Sequence, residues 1–164
     1  MRVLGIDCGG RYTGFGVVEQ IDGGPLVCLA SGAVRLQPRY PLCERLLLVQ
    51  QELANVIQRH QPEVAAIEEV FYAANVKSAL KLGEVRGVAM LTAASFGLPV
   101  VGYAPLVVKS AVVGYGRAEK LQVQIMVARL LKLGSPLESA DAADALAIAI
   151  CHVHTAATLA AQKT

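Results

Sequence analysis

The stretch "VLGIDCGGRYTGFGVVEQ", residues 3–20, sets the fold: an apolar run ends on an acid, two glycines break it, and a second run rich in Val, Phe, Tyr and Thr follows. Residues 2–7 read as a buried strand and 12–20 as a second. Working outward, "LVCLASGAVRL" (26–36) reads as a third strand, and "IDGGP" before it is a strong turn signal. The chain therefore opens as three antiparallel strands. Next, "PLCERLLLVQQELANVIQRH" (41–60) carries leucines and valines at helical spacing, with Pro41 at its start and Pro62 just past its end, which predicts an amphipathic helix. "EVAAIEEVF" (63–71) offers a short strand, 75–97 a long helix closed by Gly97, and "LPVVGYA" (98–104) another strand. Two helices follow, 105–114 and 118–134, divided by the glycine-flanked loop "GYGRAE". A last helix starts within "LESADAADALAIAICH" (137–152). The order β-β-β-α-β-α-β-α-α-α implies a mixed sheet with helices on its faces, in the α/β class.

The 164 residues fit a single domain spanning 1–164. A composition 54% hydrophobic and 17% charged argues for a globular core and against disorder. No window holds the 18 or so uninterrupted apolar residues of a bilayer span, and Asp7 cuts short any signal-peptide core in "MRVLGIDCGG". A cytoplasmic protein with no membrane partner is expected. Cys8, Cys28, Cys43 and Cys151 form no CxxC pair, so neither a zinc site nor a disulfide framework is indicated. Net charge is only +2, but residues 73–132 hold eight Lys or Arg against two acids, leaving the remainder acidic. That split suits a protein that meets nucleic acid on one face while acids gather elsewhere, and also suits lysines scattered over solvated helix backs.

The acids are the informative residues. Asp7 ends the first strand, a place for either a turn-forming Asp or a functional group at a sheet edge. Glu68 and Glu69 sit in an apolar strand and must face opposite sides of the sheet, so one of them is directed toward the core. If the strands of Asp7 and Glu68 are parallel neighbours, these two carboxylates lie side by side. Asp141 and Asp144, three apart at the mouth of an apolar helix, share a face. Like charges brought together beside buried surface need a positive compensator, either a lysine or a metal ion. Helix N-terminal placement accounts for Asp141 but not for Asp144, one turn further in. Together the four form a set of hard oxygen ligands suited to Mg²⁺ or Mn²⁺. In phosphodiester cleavage two such ions, about 3.5–4 Å apart, activate water and stabilise the leaving oxygen.

In combination and in order, "GIDCGGRYTGFGVV", "AIEEVF", "SALKLGEVRGVA", "VVGYGRAEKLQVQ" and "DAADALAIAICH" resemble the RuvC family of Holliday-junction resolvases over nearly the whole chain. The resemblance implies a ribonuclease H-like fold with a five-stranded mixed sheet flanked by helices. It implies a homodimer that makes paired, Mg²⁺-dependent nicks in four-way junction DNA during recombination and repair, with the RuvA and RuvB branch-migration proteins as partners. It further implies that Asp7, Glu68, Asp141 and Asp144 are the catalytic metal ligands. Phe71, with Tyr72 behind it, is then placed to stack on an unpaired base near the junction point. Lys109 and Lys120 become basic contacts near the scissile phosphate, with Arg117 assisting through the backbone. Lys120 also reads as the start of an exposed helix, paired with Glu119 or Gln124.

Three features depart from the family pattern. Cys8 stands where Pro is frequent and Gly10 where Ser or Thr is, which sets an oxidisable thiol beside the expected ions. "YAANVK" (72–77) lacks a Lys before Asn, so local DNA contact passes to Lys77 or Lys81. Some relatives carry His at the position of Asp141. The long helix 76–96 turns apolar almost all round in its second half, which fits either a central core helix or one covered by a second subunit. Two other functions fit parts of the pattern: a junction- or RNA-binding module of the same fold without catalysis, and an ATP-binding actin-like domain. The first is opposed by the presence of all four acids, the second by a length that leaves no room for a second half.

Overall fold

The structure is a computed structural model that describes residues 1–69, 75–134, 137 and 139–161. All ten expected elements occur in the expected order: β1 Arg2–Cys8, β2 Tyr12–Glu19, β3 Val27–Arg35, α1 Leu42–His60, β4 Val64–Glu68, α2 Val76–Ser95, β5 Val100–Tyr103, α3 Pro105–Val113, α4 Lys120–Leu130 and α5 Ala140–Ala161. The strands form one sheet in the order β3-β2-β1-β4-β5. β1–β2 and β2–β3 are antiparallel, β1–β4 and β4–β5 parallel. A parallel pair needs a crossover between its strands, and α1 and α2 supply these.

Alternation along each strand divides the core into two layers. Leu4, Ile6, Val17, Val34 and Ile67 face one way, onto Val49, Leu53, Val56 and Ile57 of α1 and Val85 and Ala89 of α2. The buried α1 positions recur at the spacing of one helical stripe, the pattern that marked this helix in the sequence. Val3, Val18, Val64 and Ala66 face the other way, onto α3, α4 and α5. α5 is long and apolar enough to cross a bilayer by composition alone, but more than half of that window is buried against the sheet. Its hydrophobicity is that of a helix covered on several sides.

Helix limits follow local chemistry. α1 ends as Gln61 turns left-handed at φ 48° ahead of Pro62. α3 begins with Pro105 and ends at Gly114 with φ 95°. α4 is shorter than the expected 118–134. Glu119 and Gln122 form a reciprocal capping box that fixes its start, and Lys132 adopts a left-handed φ of 51° just beyond its end. β4 ends at Glu68 rather than at residue 71, although Glu69 N still donates to Tyr103 O at 2.9 Å.

Candidate active site

The carboxyl ends of β1 and β4 lie side by side in the middle of the sheet, and ligands of open α/β sheets gather at such ends. Their last registered pair is Ile6 with Ile67, both directed toward α1 and α2. One residue further, Asp7 and Glu68 therefore both face α5, as the parallel arrangement required. Glu69 points the opposite way, with its Oε1 close over Gly102.

Glycines bring α5 onto this edge. A Cβ at Gly14, the cross-strand partner of Asp7, would lie 2.0 Å from the carbonyl oxygen of Asp141. One at Gly5 would lie 2.0 Å from the carbonyl oxygen of Ala145. Helix backbone thus rests directly on strand backbone, a closeness that no side chain allows. Gly16, cross-strand partner of Gly5, receives the Leu146 side chain in the same way. At the start of α5, Ser139 Oγ accepts from Ala142 N at 3.3 Å and so caps the first turn. Asp141 falls in the first turn and Asp144 one turn in.

The electrostatics show the four acids acting on one another. Burial, then Asp144, Glu68 and Asp141 in that order, push the Asp7 carboxyl from 3.8 up to about 7, against a smaller opposing pull from Lys120. Glu68 is raised by burial and by Asp144, and held down by Lys109 and Lys120. Asp7, the deeper of the two, carries their mutual repulsion. A cavity of about 250 Å³ is lined by Asp7, Glu68, Lys109, Lys120 and Asp144, with Pro105, Val108, Val123 and Ala147 as its apolar wall. Asp141 is outside that lining, though its charge acts on Asp7 and on Lys120. A larger hollow of about 780 Å³, between α1 and strands β2 and β3, contains none of the four acids.

The compensating charge is a lysine. Lys120 Nζ lies 2.5 Å from Asp144 Oδ2, so this lysine pairs neither with Glu119 nor with Gln124. Burial pulls the Lys120 ammonium down, but the hydrogen bond and charge of Asp144, with Asp7 and Asp141, hold it above its ordinary value. Among the described residues, no three His, Cys, Asp or Glu side chains stand as a closed ligand set. The donor set nonetheless fits a hard divalent cation: several carboxylates, one of them destabilised by its neighbours, facing a common cavity without sulfur or imidazole.

The other expected site residues divide by place. Lys109, on α3, reaches the cavity. Lys77 and Lys81 are exposed on the first turns of α2, and Arg117 is exposed in the loop between α3 and α4. Phe71 and Tyr72 lie outside the described residues. Cys8 faces the α1 and α2 layer, away from Asp7. Burial, then Asp7, push its thiol up to about 12, so it stays protonated and is a poor target for oxidation.

Sequence reasoning passed over two contributors. Arg86 of α2 donates from Nε to the Glu68 carbonyl oxygen at 3.2 Å, fixing the end of β4, yet it entered only as one cation among eight. The Gly5, Gly14 and Gly16 platform was the other, although Gly14 and Gly16 alternate within a strand, the signal for close approach of another backbone.

The family model described as Crossover junction endodeoxyribonuclease RuvC matches residues 3–152. A protein of that description from Koribacter versatilis is 65% identical over 159 residues, covering 97% of this chain and 96% of the relative. Another from Acidobacterium capsulatum is 56% identical, covering 100% of this chain and 99% of the relative. Among solved structures, Thermus thermophilus RuvC in complex with Holliday junction substrate superposes with a TM-score of 0.91 at 35% identity, covering 96% of each chain.

Proposed function

This chain belongs to the RuvC family of crossover junction endodeoxyribonucleases, with the ribonuclease H-like fold of that family, and we propose that Asp7, Glu68, Asp141 and Asp144 are its catalytic ion-holding residues. It is an endonuclease that resolves Holliday junctions, and its family depends on divalent metal ions. The reading of the four acids is carried by one observation: Asp7 is held near neutrality by burial and by the other three acids, so together they form a local negative field that a divalent ion relieves. We assign Mg²⁺, with Mn²⁺ as a working substitute, because the donors are all hard oxygens. A bound ion would supply an activated water and charge stabilisation for the leaving oxygen.

The chain's own residues do the rest. Asp7 and Glu68, on adjacent strand ends, set the inner wall, and Asp144 presents its carboxylate from α5 across the cavity. Lys109 and Lys120 offset the charge of the phosphate and of the negative charge that develops on it. Arg117, Lys77 and Lys81 add phosphate contacts along the flanking DNA, and Phe71 and Tyr72 supply stacking at the opened junction.

Residues 1–164 serve as one nuclease domain that works as a homodimer. α2 supports this: Leu80 and Leu91 are 64% and 70% exposed on a helix whose Gly83 and Gly87 meet nothing within 4 Å. A two-fold pairing there covers an apolar face and gives two sites for two symmetric strands. Cooperation with RuvA and RuvB, in the cytoplasm where bacterial DNA is handled, completes the assignment.

The deciding experiment incubates the protein with a synthetic four-way junction or a linear duplex, in Mg²⁺ or EDTA, beside Asp7→Asn. Paired nicks confined to the junction, dependent on metal and lost in Asp7→Asn, are expected. Junction binding without cutting under any metal would replace this reading with a binding module.

A further inference from the structure

We propose that Lys120 is a built-in substitute for the divalent ion, and that a DNA phosphate draws it off Asp144, so that junction arrival and ion capture are coupled through this one side chain. The proposal rests on reading the four acids as the ion site.

Three observations carry it. First, Lys120 holds the acid that matters most to the others. Asp144 is the leading charge acting on both Asp7 and Glu68, and it is the only one of the four with an ion pair among the described residues. Lys109 lines the same cavity yet makes no such pair among the described residues. Second, the lysine is free to leave. Its side chain is 58% exposed against 26% for Asp144. It is the first residue of α4, whose start is locked by the Glu119–Gln122 capping box. The ammonium therefore swings on a four-carbon stem from a fixed base, and no helix has to move. Third, the pair is weak enough to switch, since ion pairs with this much exposure hold by less than about a factor of five.

Charge then dictates the order of events. While Lys120 sits on Asp144, an incoming dication meets one carboxylate already neutralised and a positive charge at close range. A phosphate near α4 competes for the same ammonium, frees the Asp144 carboxylate for the ion, and removes that repulsion. Because coupling is reciprocal, the ion must strengthen junction binding by the same factor that the junction strengthens ion binding.

Mn²⁺ binding, read by electron paramagnetic resonance of the free ion, tests this without recourse to cutting. Wild type, Lys120→Met, Lys120→Arg and Asp7→Asn are titrated alone and with a junction protected by phosphorothioate linkages, with a DNA-only blank subtracted. Without DNA, Lys120→Met should bind Mn²⁺ about two- to fivefold more tightly than wild type. The junction should tighten wild-type binding by a similar factor and leave Lys120→Met unchanged, while Lys120→Arg, which keeps the pair, follows wild type. Equal or weaker Mn²⁺ binding by DNA-free Lys120→Met, with its melting temperature intact, would overturn the coupling while leaving the ion site in place. Mn²⁺ uptake that Asp7→Asn fails to weaken would remove the ion site itself, and the coupling with it.

Discussion

Replacing Gly14 with alanine tests the contact on which the site geometry depends. The new Cβ would meet the Asp141 carbonyl oxygen at 2.0 Å, its carbon at 2.5 Å and Ala142 N at 3.2 Å. Carbon–oxygen approaches of this kind settle no closer than about 3.3 Å, so the start of α5 must lift by roughly 1 Å or β2 must bow by as much. All three atoms are backbone, so no rotamer change relieves the clash. Overpacking of this size costs about 1–3 kcal/mol. With about 2–4 °C of melting temperature per kcal/mol in a chain of this length, the melt should drop by roughly 2–12 °C. The loss of activity should be larger, because moving a reacting group by ~1 Å costs up to ~10²-fold in rate. Single-turnover nicking of a four-way junction, junction binding in EDTA and a circular dichroism melt separate these effects: rate falls most, stability moderately, binding least. Gly5→Ala meets Ala145 O at 2.0 Å and Ala149 N at 2.8 Å, deeper under the helix, and should cost more stability. Gly10→Ala, with nothing within 4 Å, should leave everything unchanged. A Gly14→Ala protein that cuts and melts like wild type would mean that α5 does not rest on β2 there.

Other outcomes follow from the same geometry. In EDTA the folded protein holds the Asp7 proton up to about 7 against an ordinary 3.8, so the stability tied to it is complete below about pH 4 and lost as pH climbs through 7. The melting temperature should therefore fall between pH 5 and pH 8, and Asp7→Asn should flatten that fall; an equal slope in the variant refutes the assignment. Lys109→Ala should slow nicking by about 10²-fold and lower the salt slope of junction binding by about one, whereas an unchanged slope would place Lys109 away from phosphate. Leu91→Asp, on the exposed face of α2, should sediment as a monomer and make single rather than paired nicks; a persistent dimer moves the interface elsewhere.

What the sequence made legible and what it hid divide along physical lines. Strands and helices announced themselves through periods of two and of about 3.6, because burial on one face imposes them. The placement of Glu68 beside Asp7 followed once parallel pairing was granted. Contacts between distant parts of the chain had no such local mark. Lys120 pairs with Asp144 rather than with its near neighbours Glu119 or Gln124. The docking of α5 depends on the absence of side chains at Gly5 and Gly14, and sequence patterns record what a residue carries more readily than what it omits. Asp141 and Asp144 looked equivalent as a pair on one helix face, but Asp144 lines the cavity and Asp141 does not, because the angle at which a helix crosses a sheet is set by packing.

That packing also explains how the cluster survives in the folded chain. Asp7 is pushed toward protonation first by burial and then by three neighbouring acids, so the site on its own favours any motion that separates them and admits water. Such motion means lifting α5, and α5 is held by Leu146, Ile148, Ile150 and Val153, all buried, along with Ala145 and Ala149 at the strand backbone. Each large apolar side chain contributes about 1.5–3 kcal/mol on burial, so the four together outweigh the few kcal/mol of repulsion among the acids. The helix that presents Asp141 and Asp144 is thus seated by burial that exceeds the force the acids create. A cavity-forming change such as Ile148→Ala should therefore loosen the cluster from a distance, lowering the Asp7 carboxyl toward its ordinary value as the acids separate. Carboxylate NMR titration in EDTA reads that shift directly, and an Asp7 titration unchanged in a destabilised Ile148→Ala protein would show that the acids are held by something other than the seating of α5.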